Sequence, residues 1–428
     1  MPTASAFDQH LVELINRFRL DPAGEYERIV ADTGGRRAHD PDVTAALRWF
    51  GVDLRTLERE LDALDPVQPL AWNGRLAAAA TGHSQVLRRA DVQSHQVTSR
   101  GEAPLGERIR DAGYDPIRAG ENVYSYAESG RHAHEAFVVD WGPAADGMQA
   151  GRGHRVNLVY AGFSEVGIGA LRQDDASAST GPWIVTQNFA ARADAGPFLT
   201  GVAYRDRDGD GAYSMGEGMK GLKVAAEGRG QAASAKAGGW SLEVGEGEAA
   251  LALSGAAVKG RIALSVEVGR DNVKLDLVDR AMVATSADLD LKRGGAGAIA
   301  LGIGDVDLSG KGGRDRLQGN AGRNALDGEG GADHLSGGAG RDRIEGGRGD
   351  DVLKGGGGAD LFVFHARDGH DRVLDWGPGD AIALGGRLER SDAALSASGD
   401  DAVLRVAGTV VVIEDAAGRI DLDDLLLV

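Results

Sequence analysis

Acidic side chains recur with a period of nine residues in six glycine-rich units that run from Gly310 to Val363. A hard cation such as Ca²⁺ takes about six to eight oxygen ligands, which carboxylates and backbone carbonyls supply. Glycine permits the tight turns that bring carbonyl groups inward. The sixth residue of each unit is therefore a candidate calcium ligand. These residues are Asp315, Asn324, Asp333, Asp342, Asp351 and Asp360.

The eighth position of every unit is apolar, so the units have the pattern G-G-x-G-x-D-x-U-x. This pattern resembles the RTX, or hemolysin-type, calcium-binding repeats. The resemblance implies a parallel β-roll over residues 293–384, in which aspartates of successive coils stack. Stacked carboxylates repel each other without metal, so we expect the roll to fold only with calcium bound. Asn324 is expected to weaken one site. A flexible glycine-rich linker is the alternative, but it has no reason to keep aspartate and leucine in phase.

A second acidic motif, D-R-D-G-D-G-A-Y-S-M-G-E, has the spacing of a twelve-residue EF-hand-type loop. In such a loop Asp206, Asp208 and Asp210 each bind calcium through one carboxylate oxygen. Ala212 offers its backbone carbonyl, and Glu217 offers both carboxylate oxygens. The motif predicts a calcium site, with a solvated acidic turn as the alternative.

The segment around this loop, residues 196–292, alternates short apolar runs with glycine turns. Six or seven short strands of this kind predict a small β-sandwich. Because strands rather than helices flank the loop, the segment is not an EF-hand pair. It resembles the calcium-bearing loops of surface-protein β-sandwich repeats, in which the ion stiffens a stalk.

The N-terminal segment, residues 1–195, carries an ordered set of short motifs: L-A-W-N before a helix, S-H after it, then G-E-N, G-H-R-x-N-L, V-G-I-G and T-Q-N-F. Together they resemble the CAP superfamily of cysteine-rich secretory, antigen 5 and pathogenesis-related proteins. The resemblance implies an α-β-α sandwich with a central cleft, and it places His95, Glu121 and His154 in that cleft. The histidine pair implies a site for Zn²⁺ or another divalent metal.

The sequence departs from the family at the fourth cleft position. The second acid of the family would fall at Ala144. Asp140 and Asp146 are the candidate substitutes, although neither has the expected spacing. The stabilising disulfides of the family are also absent, since the chain has no cysteine. A purely structural role for Glu121, as a brace of its loop, and for His154, in positioning a turn, is therefore an alternative to a ligand-binding role.

The run R-H-A-H-E predicts a helix in which His132 and His134 lie on a solvated face, with a role as ligands as the alternative. His134 and Glu135 do not complete the H-E-x-x-H motif of a zinc protease, because Val138 stands where the second histidine is required. The run G-F-S-E-V likewise fails the G-x-S-x-G pattern of a serine hydrolase. An enzymatic role is therefore not favoured, and catalytic residues are not assigned.

The composition limits the classes of partner that the protein is expected to bind. The net charge of -18 disfavours nucleic acid and anionic membranes. The N-terminal residues lack the basic and apolar regions of a signal peptide, and no stretch is long enough to span a membrane. Residues 385–428 end in D-L-D-D-L-L-L-V, which resembles the uncleaved signal recognised by a type I secretion apparatus, or forms a last strand that caps the roll.

The sequence thus predicts a multidomain α+β and all-β protein that is secreted and binds calcium. Its domains are expected at residues 1–195, 196–292, 293–384 and 385–428. The N-terminal domain is expected to bind a lipid, a sterol or an extracellular polymer. A secreted metal-dependent hydrolase or protease and a structural, adhesive matrix protein are the alternatives.

Overall fold

The structure is a computed structural model that describes residues 2–422 and 425–427. The chain divides into two compact units. Unit 1 comprises the residues up to Lys220 with Ala232–Gly245 and Gly269–Val273; unit 2 comprises Gly221–Gln231, Glu246–Val268 and the residues from Lys274 onward. The four domain boundaries expected from the sequence stay predictions. Part of the C-terminal secretion motif, residues 423, 424 and 428, lies outside the described residues.

The helices described in the structure all belong to unit 1, apart from a short 3-10 turn at Arg390–Asp392. A second 3-10 turn covers Thr98–Arg100. The α-helices are α1 (Ala6–Leu20), α2 (Glu25–Ile29), α3 (Pro41–Phe50), α4 (Leu54–Asp62), α5 (Gly74–Ala90), α6 (Leu105–Asp111), α7 (Gly130–Val139) and α8 (Gly153–Val159). Side-chain caps begin several of them; Asn73, for example, accepts a 2.9 Å hydrogen bond from the backbone N–H of Arg75 at the start of α5.

The strands follow in chain order. The first group is β1 (Val30–Asp32), β2 (Arg37–Ala38), β3 (Ala71–Trp72), β4 (Arg118–Ala127), β5 (Glu165–Arg172), β6 (Trp183–Ala191) and β7 (Phe198–Tyr204). The second group is β8 (Leu222–Ala226), β9 (Gly230–Ala233), β10 (Gly239–Glu243), β11 (Ala249–Gly255), β12 (Ile262–Val266), β13 (Val273–Val278), β14 (Met282–Thr285) and β15 (Leu289–Arg293).

The remaining strands are short and closely spaced. They are β16 (Gly297–Ala300), β17 (Leu308–Gly312), β18 (Arg316–Gln318), β19 (Ala325–Gly331), β20 (His334–Gly340), β21 (Arg343–Glu345), β22 (Arg348–Gly349), β23 (Val352–Gly358), β24 (Leu361–Phe364), β25 (His370–Val373), β26 (Ala381–Leu384), β27 (Ala393–Ser398), β28 (Asp401–Val406), β29 (Thr409–Ile413) and β30 (Leu426–Leu427).

The sheet of unit 1 has the order β3-β5-β6-β4 and is covered on both faces. On one face α5 lies directly on β5, because the residues beneath it are Gly167 and Gly169; a Cβ on Gly167 would come within 2.1 Å of the backbone N of Ala77. On the other face Val166 and Ile168 join a buried apolar cluster with residues of α1 and α7. The alternation of glycine and aliphatic residues in V-G-I-G thus builds the predicted α-β-α sandwich, which is confirmed.

Unit 2 is made of strands that stack in parallel through most of its length. One row of buried apolar residues pairs Leu308 with Leu326, then Ile344, then Phe362. The step between neighbours is 18 residues, or two nine-residue units, so each coil of the stack contains two strands. The parallel β-roll predicted from the repeat is therefore confirmed. The parallel pairing also extends to β14 on one side and to β30 on the other.

The segment predicted to form a small β-sandwich is rich in strands. In unit 2, β11 pairs antiparallel with both β8 and β12, and β12 pairs antiparallel with β15. In unit 1, β7 pairs antiparallel with β10. The sandwich as a separate domain stays a prediction. Within the described residues, no helix has the length and apolar character needed to cross a membrane.

Candidate functional site

Glu121, on β4, is a buried acid that holds one of the predicted cleft histidines. Its Oε1 atom lies 3.1 Å from Nδ1 of His95, whose side chain is 62% exposed. Its Oε2 atom forms a 2.9 Å ion pair with Nη2 of Arg108. Because Nδ1 of His95 is engaged by the carboxylate, Nε2 is the ring nitrogen left to bind a ligand or a metal.

His154 is held by a second buried carboxylate, that of Asp140. Oδ1 of Asp140 lies 2.8 Å from Nδ1 of His154, and Oδ2 accepts a 3.0 Å hydrogen bond from the backbone N–H of His154. Asp140 ends α7 in a left-handed conformation, with φ of 56°. The ring centroids of His95 and His154 are 6.2 Å apart. The structure therefore brings the predicted residues His95, Glu121 and His154 into one cleft.

Asp140 is the cleft acid that the sequence spacing did not identify. Of the two candidate substitutes, Asp140 lies in the cleft despite its spacing, because the left-handed turn at its Cα directs its carboxylate to His154. Asp146 is engaged elsewhere, in a 2.5 Å ion pair with Arg152. Each cleft histidine is thus oriented by its own buried carboxylate.

His83 and Glu102 are further parts of the cleft that the sequence did not indicate. His83 lies on α5 and is 1% exposed. Its Nδ1 atom is 2.6 Å from Oε1 of Glu102, and its Nε2 atom is 2.9 Å from the backbone carbonyl of Ser94. These contacts hold the loop that carries His95. The signal for His83 in the sequence was its place beside Ser84 on a face of α5 that is otherwise made of leucine, alanine and glycine.

His132 and His134 are buried, so their predicted position on a solvated helix face is wrong. Their exposed fractions are 5% and 0%. Nε2 of His134 lies 3.1 Å from Oε1 of Glu25, and the ring of His132 stacks on that of Trp141 with centroids 5.6 Å apart. The prediction failed because α7 packs against α1 and β4 and leaves only Arg131 exposed. Burial lowers the pKa of both histidines.

An aromatic cavity of about 320 Å³ lies beside His154. Trp49 and Tyr126, in its lining, are 85% and 43% exposed. Its polar side chains are Gln93, Gln149 and His154, and the lining contains no aspartate, glutamate, lysine or arginine among the described residues. Such a surface suits an uncharged ligand with an apolar ring face. The aromatic rings that line the cavity are those of Trp49, Phe50, Tyr124, Tyr126, Phe137 and Trp141.

The cleft offers two imidazoles to a metal. Histidines that bind metals usually donate their other ring N–H to a carboxylate or carbonyl, as His95 and His154 are placed to do with Glu121 and Asp140. This donor set fits a divalent transition metal such as Zn²⁺ that completes its coordination with water or a ligand. Three ligand atoms within 4.8 Å of one another are not found in the described part of the cleft.

The acidic loop in unit 1 does bring three ligand atoms together. Carboxylate oxygens of Asp206, Asp208 and Asp210 lie within 4.8 Å of one another. Gly211 has φ of 76°, the left-handed conformation that a sharp turn at this position requires. The predicted convergence of the three aspartates is therefore present, and the oxygen donor set fits Ca²⁺.

Glu217 closes this loop. It is 5% exposed, and its two carboxylate oxygens accept hydrogen bonds of 2.7 and 2.8 Å from the backbone N–H groups of Arg207 and Ser214. Ala212 donates its N–H to Oδ1 of Asp210 at 2.8 Å. The loop is thus preorganised by its own backbone, and the assignment of Ala212 and Glu217 as calcium ligands stays a prediction.

Acidic residues of unit 2 form two rows, one on each edge of the roll. In each row, Oδ1 of one aspartate accepts a hydrogen bond of 2.7–3.1 Å from the backbone N–H of the residue one coil earlier. The side chains therefore tie neighbouring coils together. Row one contains Asp315, Asp333, Asp351 and Asp371, and row two contains Asn324, Asp342, Asp360 and Asp380.

Five of these aspartates have one buried oxygen without a hydrogen-bond partner, the Oδ2 atom of Asp333, Asp342, Asp351, Asp360 and Asp371. Burial, reinforced by neighbouring carboxylates, raises the pKa of Asp333 and Asp371 to about 7 and that of Asp342 and Asp351 to about 6. An unsatisfied buried carboxylate oxygen is costly unless a cation binds it. The residues present therefore fit calcium.

The other two predicted repeat ligands are satisfied by the chain itself. Both oxygens of Asp315 are engaged by Lys311, through its ammonium group and through a 2.8 Å hydrogen bond from its backbone N–H. Asn324 accepts a 2.9 Å hydrogen bond from the backbone N–H of Asn320 and donates its amide to the carbonyl of Val306 at 3.0 Å. Asp371, by contrast, was not predicted, because it lies outside the uninterrupted nine-residue phase.

Comparison with known families matches two separate segments of the chain. Residues 12–189 match the CAP, cysteine-rich secretory protein family. Residues 309–344 and 336–373 match the RTX calcium-binding nonapeptide repeat. The cysteines for which the first family is named are absent from this chain.

Individual relatives are distant. An uncharacterized membrane protein of Bacillus subtilis, YlbC, is 25% identical over 160 residues, which are 36% of this chain and 39% of that protein. The crystal structure of an extracellular protein with an SCP domain from Bacillus anthracis is 23% identical with a TM-score of 0.23; it covers 36% of this chain and 45% of that one. The extracellular lipase LipA of Serratia marcescens is 16% identical with a TM-score of 0.18, over 32% and 41%. The chain thus spans less than half of the length of each relative.

Proposed function

We propose that this chain, which carries a CAP domain followed by RTX calcium-binding repeats, is an extracellular protein that folds its repeat region on calcium and binds a neutral polysaccharide in the cleft of unit 1. The aromatic cavity beside His154 supports the binding role most directly. Export by a type I secretion apparatus is part of the proposal, and calcium outside the cell completes folding.

The orphaned aspartate oxygens support the extracellular part of the proposal. Five buried carboxylates that each keep one oxygen without a partner destabilise the roll wherever calcium is scarce. Extracellular calcium modules bind with dissociation constants of about 10⁻⁴–10⁻³ M, far above cytosolic calcium levels. The roll would therefore stay unfolded inside the cell and fold after export.

The open, uncharged cavity favours a sugar over a lipid or a sterol. An acyl chain or sterol needs an enclosed apolar site, whereas Trp49 presents most of its ring surface to solvent. Sugar rings have apolar faces that stack on such aromatic rings, and the side-chain amides of Gln93 and Gln149 are placed to meet their hydroxyl groups. The absence of aspartate, glutamate, lysine and arginine among the described lining residues suits a neutral polymer.

Calorimetric titration of the calcium-loaded full chain with tetra-N-acetylchitotetraose tests the ligand. We expect saturable binding that Tyr126→Ala weakens about tenfold, since an aromatic contact contributes about 0.5–1.5 kcal/mol. Tyr160→Ala is the matched control, because Tyr160 is 42% exposed and lies outside the cavity lining. Saturable binding of cholesterol or palmitate without binding of the oligosaccharide would contradict the proposal of a sugar ligand and indicate a lipid ligand.

We also propose that His95 and His154 bind a divalent transition metal. Such a metal would supply a Lewis acid at the mouth of the cavity, while Glu121 and Asp140 orient the two imidazoles. Metal analysis of the protein dialysed against Zn²⁺, with calcium present, tests this site. We expect His95→Ala and His154→Ala each to lose bound zinc, and equal zinc contents in the wild type and both variants would remove the site.

A further inference from the structure

We infer that the calcium sites of unit 2 are displaced by one coil from the sequence repeat: they begin at Asp333 and Asp342, they end at Asp371, and the ammonium group of Lys311 fills the cation position at Asp315. The inference rests on calcium binding by the repeats. It goes beyond the repeat pattern because it excludes Asp315 and Asn324, which the pattern assigns as calcium ligands. It also adds Asp371, which the pattern does not assign.

The first observation is the pairing of the side chains. Each of the five aspartates that keep an orphaned oxygen is at most 2% exposed, so a cation is the partner that this oxygen lacks. Asp315 is equally buried, at 1%, but Lys311 contacts both of its oxygens. Asn324 carries no charge, and both ends of its amide are hydrogen-bonded. In the first coil, therefore, neither Asp315 nor Asn324 keeps an unpartnered side-chain oxygen for calcium.

The second observation is the backbone. The residue four positions before each orphaned aspartate has a positive φ: Glu329 (65°), Gly338 (113°), Gly347 (79°), Gly356 (99°) and Arg367 (65°). The residue two positions before is in each case a glycine with positive φ: Gly331, Gly340, Gly349, Gly358 and Gly369. The corresponding residues before Asp315 and Asn324 do not share these conformations within the described chain. Side-chain pairing and turn geometry thus change together between the first coil and the next.

Two of these positions carry residues that rarely adopt a positive φ. Glu329 and Arg367 have side chains that are disfavoured in this region of backbone space. The fold nevertheless imposes the same turn there as at the glycines. The turn is therefore set by what it encloses and not by glycine alone, and Arg367 marks the unit that ends in Asp371 as one more turn of the same kind.

Asp371 belongs to row one by its contacts. Its Oδ1 atom accepts a 3.1 Å hydrogen bond from the backbone N–H of Asp351, 20 residues earlier, while its Oδ2 atom is buried without a partner. Two extra residues in the chain before it move it out of the nine-residue phase without moving it out of the stack. It is the last calcium ligand of its row.

Lys311 acts as a built-in cation. A lysine ammonium is a compact positive charge with three N–H donors, so it neutralises a buried carboxylate that calcium would otherwise bind. The coil that contains Lys311 is thereby complete without metal. It offers a folded edge onto which the calcium-dependent coils can be added, starting at Asp333.

Counting the calcium bound to the full chain by equilibrium dialysis and metal analysis tests the displacement. We expect Asp315→Asn to leave the calcium content unchanged and Asp371→Asn to lower it by one ion. We expect Lys311→Gly, which restores the repeat pattern and frees Asp315, to raise it by one ion, and Asp315→Asn in that background to return it to the wild-type value.

The opposite pattern, in which Asp315→Asn loses an ion while Asp371→Asn and Lys311→Gly leave the content unchanged, would overturn the inference. The gain expected from Lys311→Gly cannot arise from misfolding, so the test does not depend on the stability of the asparagine variants. A wild-type chain that binds no calcium at its repeats would instead contradict the calcium-dependent function itself.

Discussion

Oδ1 of Asp333 accepts a 2.7 Å hydrogen bond from the backbone N–H of Asp315, 18 residues earlier, while Oδ2 of the same carboxylate is buried without a partner. One side chain therefore joins two coils and also offers an oxygen to a cation. Four more aspartates, Asp342, Asp351, Asp360 and Asp371, combine the same two features. These features are the basis of the proposed need of the roll for calcium.

The calcium-free roll should be less stable at neutral than at acidic pH. Burial raises the pKa of Asp333 and Asp371 to about 7, so the folded state binds more protons than the unfolded chain between about pH 4 and about pH 7. The free energy of unfolding of calcium-free unit 2 should therefore fall as the pH rises through this window. Circular dichroism of the full chain in chelator tests this: the β signal should grow as the pH falls from about 7 to about 5, and a signal independent of pH would contradict the account. Asp333→Asn should flatten the dependence.

Asp140 should set the tautomer of His154. With the carboxylate present, the ring carries its proton on Nδ1, which lies 2.8 Å from Oδ1. Asp140→Asn should change the ¹⁵N chemical shifts of His154 and weaken zinc binding about 10–100-fold. Asp146→Asn is the control, because Asp146 pairs with Arg152 and should leave both properties unchanged. Identical ¹⁵N shifts in the wild type and Asp140→Asn would refute this role.

Two buried glutamates, Glu135 on α7 and Glu25 on α2, should respond oppositely to neutralisation. Burial raises the pKa of Glu135 to about 7, so Glu135→Gln should stabilise unit 1 by on the order of 1–3 kcal/mol near pH 8 and have little effect near pH 5. Burial also acts on Glu25, but His134 and Arg17 outweigh it and hold the pKa at about 2. Glu25→Gln should therefore destabilise unit 1 at pH 7 by about 3–5 kcal/mol. Thermal unfolding measures both changes, and equal signs would contradict the assignment.

Gly167 should tolerate no side chain. A Cβ there would lie 2.1 Å from the backbone N of Ala77, so Gly167→Ala should destabilise unit 1 by at least about 1–3 kcal/mol by forcing α5 away from β5. Gly82→Ala on the same helix meets no atom within 4 Å and should stabilise it by about 0.5–1 kcal/mol. Denaturant unfolding of both variants separates crowding from helix propensity. A tolerated Gly167→Ala would show that the sheet does not require this close approach.

Periodic patterns made most of the fold predictable. The nine-residue phase identifies the roll, because each period places one acid in a turn and one apolar residue in the core. The motifs from L-A-W-N to T-Q-N-F indicate the sandwich through their resemblance to the CAP superfamily. One of them, V-G-I-G, contains Gly167 and Ile168, which face opposite sides of the sheet. His95, Glu121 and His154 were found in the same way and do meet in one cleft.

Residues that act through three-dimensional contacts could not be found by spacing. Asp140 reaches His154 through a left-handed turn at the end of α7, which no linear motif encodes. The ammonium group of Lys311 contacts Asp315 at the position inferred for a calcium ion, because the lysine side chain folds back on that carboxylate. Asp371 lies in the same row as Asp351 although two additional residues precede it in the chain. His134 was misplaced because the packing of a second layer over α7 is not visible in the helix itself.

The central claim is that calcium folds the roll and leaves the α-β-α sandwich of unit 1 unchanged. Hydrogen exchange with mass spectrometry on the full chain, in chelator and in millimolar calcium, measures both parts at once. The account predicts that peptides from residues 329–373 exchange freely in chelator and become protected in calcium, while those of α5 and β5 are protected in both. Equal protection of residues 329–373 in chelator and in calcium would contradict it.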